Sequence, residues 1–79
     1  MKNYNADIGK WLANQRISRG LMQSEVGEML GVTKTAIHYW ETGKRTIDAA
    51  TMIKYCRAIG VDPQQCVKDV AEGDDNGNH

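Results

Sequence analysis

The chain has 79 residues, a formal net charge of zero at pH 7, and two cysteines alongside two histidines. That length is expected to hold one domain with no sensor or catalytic domain beside it, and without a disulfide framework or zinc-ligand spacing its core must come from several packed helices. No apolar run is long enough to span a membrane, Met1 to Ala6 lacks the apolar centre of a signal peptide, and free thiols suit a reducing compartment, so a cytoplasmic location is expected.

The zero average hides a split. Residues 1–61 hold nine Lys/Arg against five Asp/Glu, and residues 62–79 hold one against five. A basic domain is followed by an acidic end, which is either an inert solubilising tail or a weak competitor with an anionic partner for the basic face.

In chain order the periodicity predicts five helices and no strand. The first runs from Ala6 to Ser18, with Asp7 near its N-terminus, Ile8 and Leu12 inward and Trp11 leaning the same way, and Arg19-Gly20 closing it. The second, from Gln23, has an apolar arc of Val26, Gly27, Met29 and Leu30 and ends at Gly31, where a left-handed residue permits a sharp turn. Glycine inside a helix costs about 1 kcal/mol relative to alanine, and a close approach of Gly27 to Ala36 on the next helix is the expected compensation.

The third helix is Lys34 to Thr42, with Thr33 as N-cap and Gly43 as C-cap. At about 100° per residue, Ala36, Ile37 and Trp40 fall on one side, while Lys34, Thr35, His38 and Tyr39 carry hydrogen-bonding groups on the other. Lys44 to Ile47 is a loop. A fourth helix starts near Asp48 or Ala49 and ends at Gly60, with Met52, Tyr55, Cys56 and Ile59 at core spacing. Asp62-Pro63 opens a fifth, since aspartate caps and proline suits a first turn. Cys56 and Cys66 read as small core residues. The domain is taken as residues 1–71, and residues 72–79 (EGDDNGNH) as a disordered acidic tail with nothing to bury.

These residues resemble the lambda-repressor and Cro type of helix-turn-helix domain over about Ile8 to Val61. The resemblance is carried by Ile8-Gly9, Leu12, Arg16, Gly20-Leu21, Gln23, Gly31-Val32-Thr33, Ile37, Trp40-Glu41-Thr42-Gly43-Lys44-Arg45 and Ala58-Ile59-Gly60-Val61. Two positions depart from it. The family usually has Ser or Thr where Met22 stands and Ala where Gly27 stands, so the second helix lacks a hydroxyl cap that would contribute about 1 kcal/mol. The resemblance implies an all-α, compact five-helix DNA-binding domain whose third helix enters the major groove. It puts Lys34, Thr35 and Tyr39 at base-reading positions, and it implies that Arg16 pairs with Glu41.

The chemistry of the residues agrees. Lys34 can donate to guanine O6 and N7, Thr35 can bond a base edge or touch a thymine methyl, and Tyr39 offers a ring and a hydroxyl. His38 lies beside them, less central and better suited to a phosphate or water than to a base. A merely solvated face would gain little from an exposed Tyr and His. Gln23 and Thr33 stand at helix N-termini, where backbone N–H groups favour an anion, and are assigned to phosphates. Lys44 and Arg45 follow the third helix and are assigned to the backbone beyond the groove, with Arg19 a weaker candidate. Glu41 borders the core on the wheel, so a pair with Arg16 would brace the first helix against the third.

The expected function is therefore a sequence-specific DNA-binding transcriptional regulator, a repressor of phage or bacterial type binding a palindromic operator as a homodimer, with Val67 and Val70 as candidate dimer contacts. The alternative is an antitoxin-type module that binds a protein partner and also represses its own promoter; no dedicated segment identifies such a partner. No nucleophile with a base, phosphate-cradling glycine loop or buried carboxylate pair points to an enzyme, and no cofactor or metal is expected.

Overall fold

The computed structural model describes residues 3–77, with side chains through Gly73. These form α1 (Tyr4–Ser18), α2 (Gln23–Leu30), α3 (Lys34–Thr42), α4 (Ala49–Ile59) and α5 (Pro63–Gly77). Local capping chemistry sets most of the starts. The Asn3 side chain accepts from the Ala6 N–H at 3.2 Å, which begins α1 two residues before the expected Ala6. Thr33 accepts from the Ala36 N–H at 3.0 Å, Asp48 from the Thr51 N–H at 2.7 Å, and Asp62 from the Gln64 N–H at 2.9 Å.

The N-terminus of α2 is the exception. Met22 has no acceptor to offer, yet the Glu25 carboxylate accepts from the Met22 N–H at 2.9 Å. Half of a capping box is thus in place, and the deficit expected at this helix is smaller than a bare missing cap.

The core is built from one or more residues of each helix: Leu12, Val26, Ile37, Tyr55, Cys56, Ile59 and Cys66, joined by Ile47 from the α3–α4 loop. Burying each of the larger aliphatic side chains stabilises the fold by about 1.5–3 kcal/mol. Met29, expected in the apolar arc of α2, is 52% exposed; with only eight residues, α2 presents a narrow stripe that Val26 and Leu30 already fill. Trp11 is half-buried, and its indole N–H donates to Asp69 at 2.9 Å, tying α1 to α5.

Close backbone approach occurs at Gly9 as well as at the expected Gly27. A Cβ on Gly9 would lie 2.2 Å from the Trp40 carbonyl oxygen and 2.7 Å from that of Glu41, so α1 crosses the C-terminal half of α3 in direct backbone contact. Gly27, expected to approach Ala36, has the turn and the first residue of α3 as its nearest neighbours. Its absent side chain makes room for the following turn, since a Cβ there would stand 2.8 Å from the Val32 carbonyl oxygen. The chain folds back over α2 so tightly that the turn and the Lys34 nitrogen at the start of α3, 3.5 Å from that Cβ, occupy the space.

The C-terminal helix is also longer than expected. It continues to Gly77, past the Ala71 boundary, because no proline and no left-handed glycine interrupts it after Pro63. The helix thus runs into the segment expected from Glu72 as a tail, of which Asn78 and His79 lie outside the described residues.

Candidate nucleic-acid interface

The two helices of the central stretch are joined by a turn with its own hydrogen-bonding logic. Gly31 takes φ 71°, its N–H donates to the Glu28 carbonyl at 3.2 Å, and the Val32 N–H donates to the Gly27 carbonyl at 2.9 Å. This Schellman pattern satisfies the last carbonyls of α2 and directs the chain straight into the Thr33 cap of α3. At its far end α3 stops at Gly43, φ 77°, against Ala6 of α1.

Held this way, α3 buries Ile37 fully and Ala36 and Trp40 in part, while Lys34, Thr35 and His38 are exposed and Tyr39 is half-buried. The three side chains expected to read bases, with His38 beside them, therefore lie along one accessible helix face. The Tyr39 ring gathers its neighbours: the His38 ring is 6.2 Å away, the Lys44 ammonium lies 5.8 Å over its centre, and the Arg45 guanidinium carbon lies 5.2 Å over it. Thr33 stands exposed at the helix start, and Lys44 and Arg45 at its end. Arg19 is turned back onto α1, its guanidinium donating to the Gln15 side chain at 2.9 Å.

Behind this face lies a buried polar cluster. Glu41 is 7% exposed, and four hydrogen bonds reach its carboxylate: from Arg16 Nε at 2.7 Å, Arg16 Nη2 at 2.9 Å, Gln23 Nε2 at 3.0 Å and the Tyr55 hydroxyl. Arg16 also donates to the Leu21 carbonyl at 2.8 Å. The cluster joins α1, α2, α3 and α4 at one carboxylate. Burial alone would raise the Glu41 pKa, but the bonds from Arg16, Gln23 and Tyr55 together outweigh it and hold the carboxyl below its ordinary range. The same bond to Glu41 holds the Arg16 guanidinium above its ordinary value, against the opposing effect of burial. Burial and then the bond to Glu41 keep the Tyr55 hydroxyl protonated well above the usual phenol range.

Gln23 accordingly sits differently from a free phosphate clamp. Its amide nitrogen points inward to Glu41 and lies 3.5 Å from His38 Nδ1, bridging the buried cluster to the exposed helix face. Tyr55 was legible only as a core residue. The available signal was its hydroxyl, since a buried Tyr needs a polar partner and Glu41 was the acid bordering the core. A second unanticipated tie runs from the Asn5 amide to the Thr46 hydroxyl at 2.9 Å, anchoring the loop after α3 to α1. Among the described residues no group of His, Cys, Asp and Glu is arranged to hold a metal, and no helix is long and apolar enough to cross a membrane.

A short capped helix, a glycine-hinged turn and a second helix with an exposed polar face define a helix-turn-helix domain. The sequence pattern of the helix-turn-helix family matches residues 12–66, and the chain belongs to that family, whose lambda-repressor and Cro type it represents. Its fold is similar to that of the clp gene regulator ClgR from C. glutamicum, with TM-score 0.86 and 18% identity over 92% of this chain and 95% of that one. It is also similar to the restriction-modification controller protein C.AhdI from Aeromonas hydrophila, with TM-score 0.73 and 21% identity over 77% of this chain and 92% of that one. No curated protein sequence matches the chain.

Proposed function

We propose that this protein is a sequence-specific DNA-binding transcriptional regulator, a repressor that inserts α3 into the major groove of a palindromic operator. The observation that carries the reading is the outer face of α3. Lys34 and Thr35 are exposed at the N-terminal end of the helix, and among the described residues their side chains make no hydrogen bond or ion pair within the chain. Their donors are free for base edges, as the N-terminal residues of a recognition helix require. Tyr39 and His38 extend the same face.

The Thr33 hydroxyl, Lys44 and Arg45 are the phosphate contacts that fix the register of the helix. The Thr33 oxygen already caps α3, which leaves its O–H to donate outward. Gln23 can join them only by turning its amide away from His38, so its contribution to affinity is the smallest of the four. Residues 1–71 are the DNA-binding unit, acting as a homodimer with half-sites about 34–36 Å apart. Val67 and Val70 line an apolar groove with Tyr4, Ile8 and Ala71 and are the candidate dimer contacts. The relatives of similar fold carry regulatory names, a clp gene regulator and a restriction-modification controller, which supports a regulatory role.

The test is binding of the purified protein to the DNA upstream of its own gene. Tight binding without a partner and with a steep salt dependence supports the regulator; binding that requires the product of an adjacent gene turns the assignment to the antitoxin type. Lys34→Ala should lower affinity by about 1–3 kcal/mol and relax preference at one base pair, whereas Lys44→Ala should weaken all sequences alike. Equal losses on every sequence for Lys34→Ala would remove it from the base readers.

A further inference from the structure

Lys44 and Arg45 would be ordinary mobile surface cations but for the half-buried ring beside them. Gly43 turns the chain, the Gly43 N–H donates to the Trp40 carbonyl at 3.3 Å, and the Arg45 N–H donates to the Tyr39 carbonyl at 3.2 Å. The loop is thereby brought back alongside Tyr39. Both cationic groups come within about 6 Å of the ring centre, the range in which the ring quadrupole attracts a cation. Neither cation forms an ion pair with a carboxylate among the described residues. An aromatic face holds a cation without neutralising it, so both charges remain available to a phosphate.

We propose that Tyr39 is a positioning residue for the phosphate-contacting loop, its ring holding Lys44 and Arg45 in their working places before DNA arrives. This rests on the reading of α3 as the groove-entering helix and adds to it: the hydroxyl of Tyr39 serves the base edge and its ring serves the backbone clamp. A long side chain that is ordered in advance loses less rotamer freedom on binding. The saving corresponds to roughly two- to tenfold in affinity for each side chain held.

The two roles separate by substitution. Tyr39→Phe removes the hydroxyl and keeps the ring, while Tyr39→Leu removes both and leaves the two cations in the chain. On a short random-sequence duplex, across a salt series, Tyr39→Leu should bind about fivefold or more weaker than Tyr39→Phe. The slope of affinity against salt should stay the same in Tyr39→Leu, because the same phosphates are neutralised, whereas Lys44→Ala should lower it by about one.

In the Tyr39→Leu background, Lys44→Ala and Arg45→Ala should each cost less than in wild type. In the free protein, ring-current shifts on the Lys44 ε and Arg45 δ protons should be present in wild type and Tyr39→Phe and lost in Tyr39→Leu. If wild type binds DNA but Tyr39→Leu equals Tyr39→Phe, or the losses simply add, or the proton shifts match in all three proteins, the positioning role is overturned while the DNA-binding reading stands. A wild-type chain with no salt-dependent affinity would overturn both.

Discussion

Removing the carboxylate of Glu41 tests the brace behind the recognition helix most directly. Glu41→Ala leaves the Arg16 guanidinium, on a side chain 11% exposed, and the fully buried Tyr55 hydroxyl without their shared acceptor. Breaking one side of a buried pair costs about 3–5 kcal/mol, because the remaining charge is stranded. Arg16 keeps its bond to the Leu21 carbonyl, which lowers that figure, and the orphaned phenol adds about 1–3 kcal/mol, which raises it. A net loss near 4 kcal/mol should lower the melting temperature by about 15–30 °C in a domain of this size.

Such a loss approaches the whole stability of a small domain, about 0.05–0.15 kcal/mol per residue. Thermal melts by circular dichroism would measure it, with operator binding followed in the cold, below the melting midpoint of the variant. Binding should return in the cold, since no base or phosphate donor is removed. Joint replacement of Arg16 and Glu41 by methionine strands no charge and should recover a large part of the loss. A Glu41→Ala protein that melts with wild type would refute the brace; if it also lost DNA binding, Glu41 would be a contact residue.

Gly9→Ala should destabilise by about 3 kcal/mol or more, because a methyl at the α1–α3 crossing meets the Trp40 and Glu41 backbone carbonyls, whereas Gly73→Ala on exposed α5, with open space around it, should be neutral or stabilise by up to about 1 kcal/mol. Equal urea midpoints for the two variants would contradict the crossing. Met22→Ser should stabilise by about 1 kcal/mol by completing the capping box with Glu25, and Met22, at 61% exposure, has little packing to lose; a lower midpoint would show the methionine to be packed.

On acidification, the depressed Glu41 carboxyl contributes stability that is fully present above its unfolded pKa of about 4.3 and lost as pH falls through the lower folded value. Asp48 and Asp69, held low by hydrogen bonds from Thr51 and Trp11, act in the same direction. In alkali, burial pushes the Cys56 and Cys66 thiols up to about 11 and Tyr55 higher than an ordinary phenol, so their contribution is intact below the unfolded values of about 8.5 and 10 and declines as pH rises beyond them. Urea midpoints should therefore fall on both sides of neutrality; a flat profile from pH 7 to 3 would remove Glu41 from the acid limb.

Features that depend on neighbours a few residues away are legible along the chain. Thr33 and Asp62 as caps, Gly31 and Gly43 as helix-ending glycines, and the division of α3 into an Ile37 side and a Lys34-Thr35-His38-Tyr39 side all follow from capping geometry and helical angle. The start of α1 at Tyr4 obeys the same rules, but its cap, Asn3, stands five residues ahead of Ile8, the first inward residue of the apolar pattern.

Depth and partner were decided only by how the helices pack. The wheel gives the angle of Gln23 around α2 and of Tyr55 around α4, but not that both would meet Glu41, 18 and 14 residues away along the chain. Nor does it separate Gly9, where two helices touch backbone to backbone, from Gly27, where a turn closes over its own helix. Such contacts depend on the rigid-body placement of one helix against another. A period of 3.6 residues records which face turns inward, and it carries no information about what waits there.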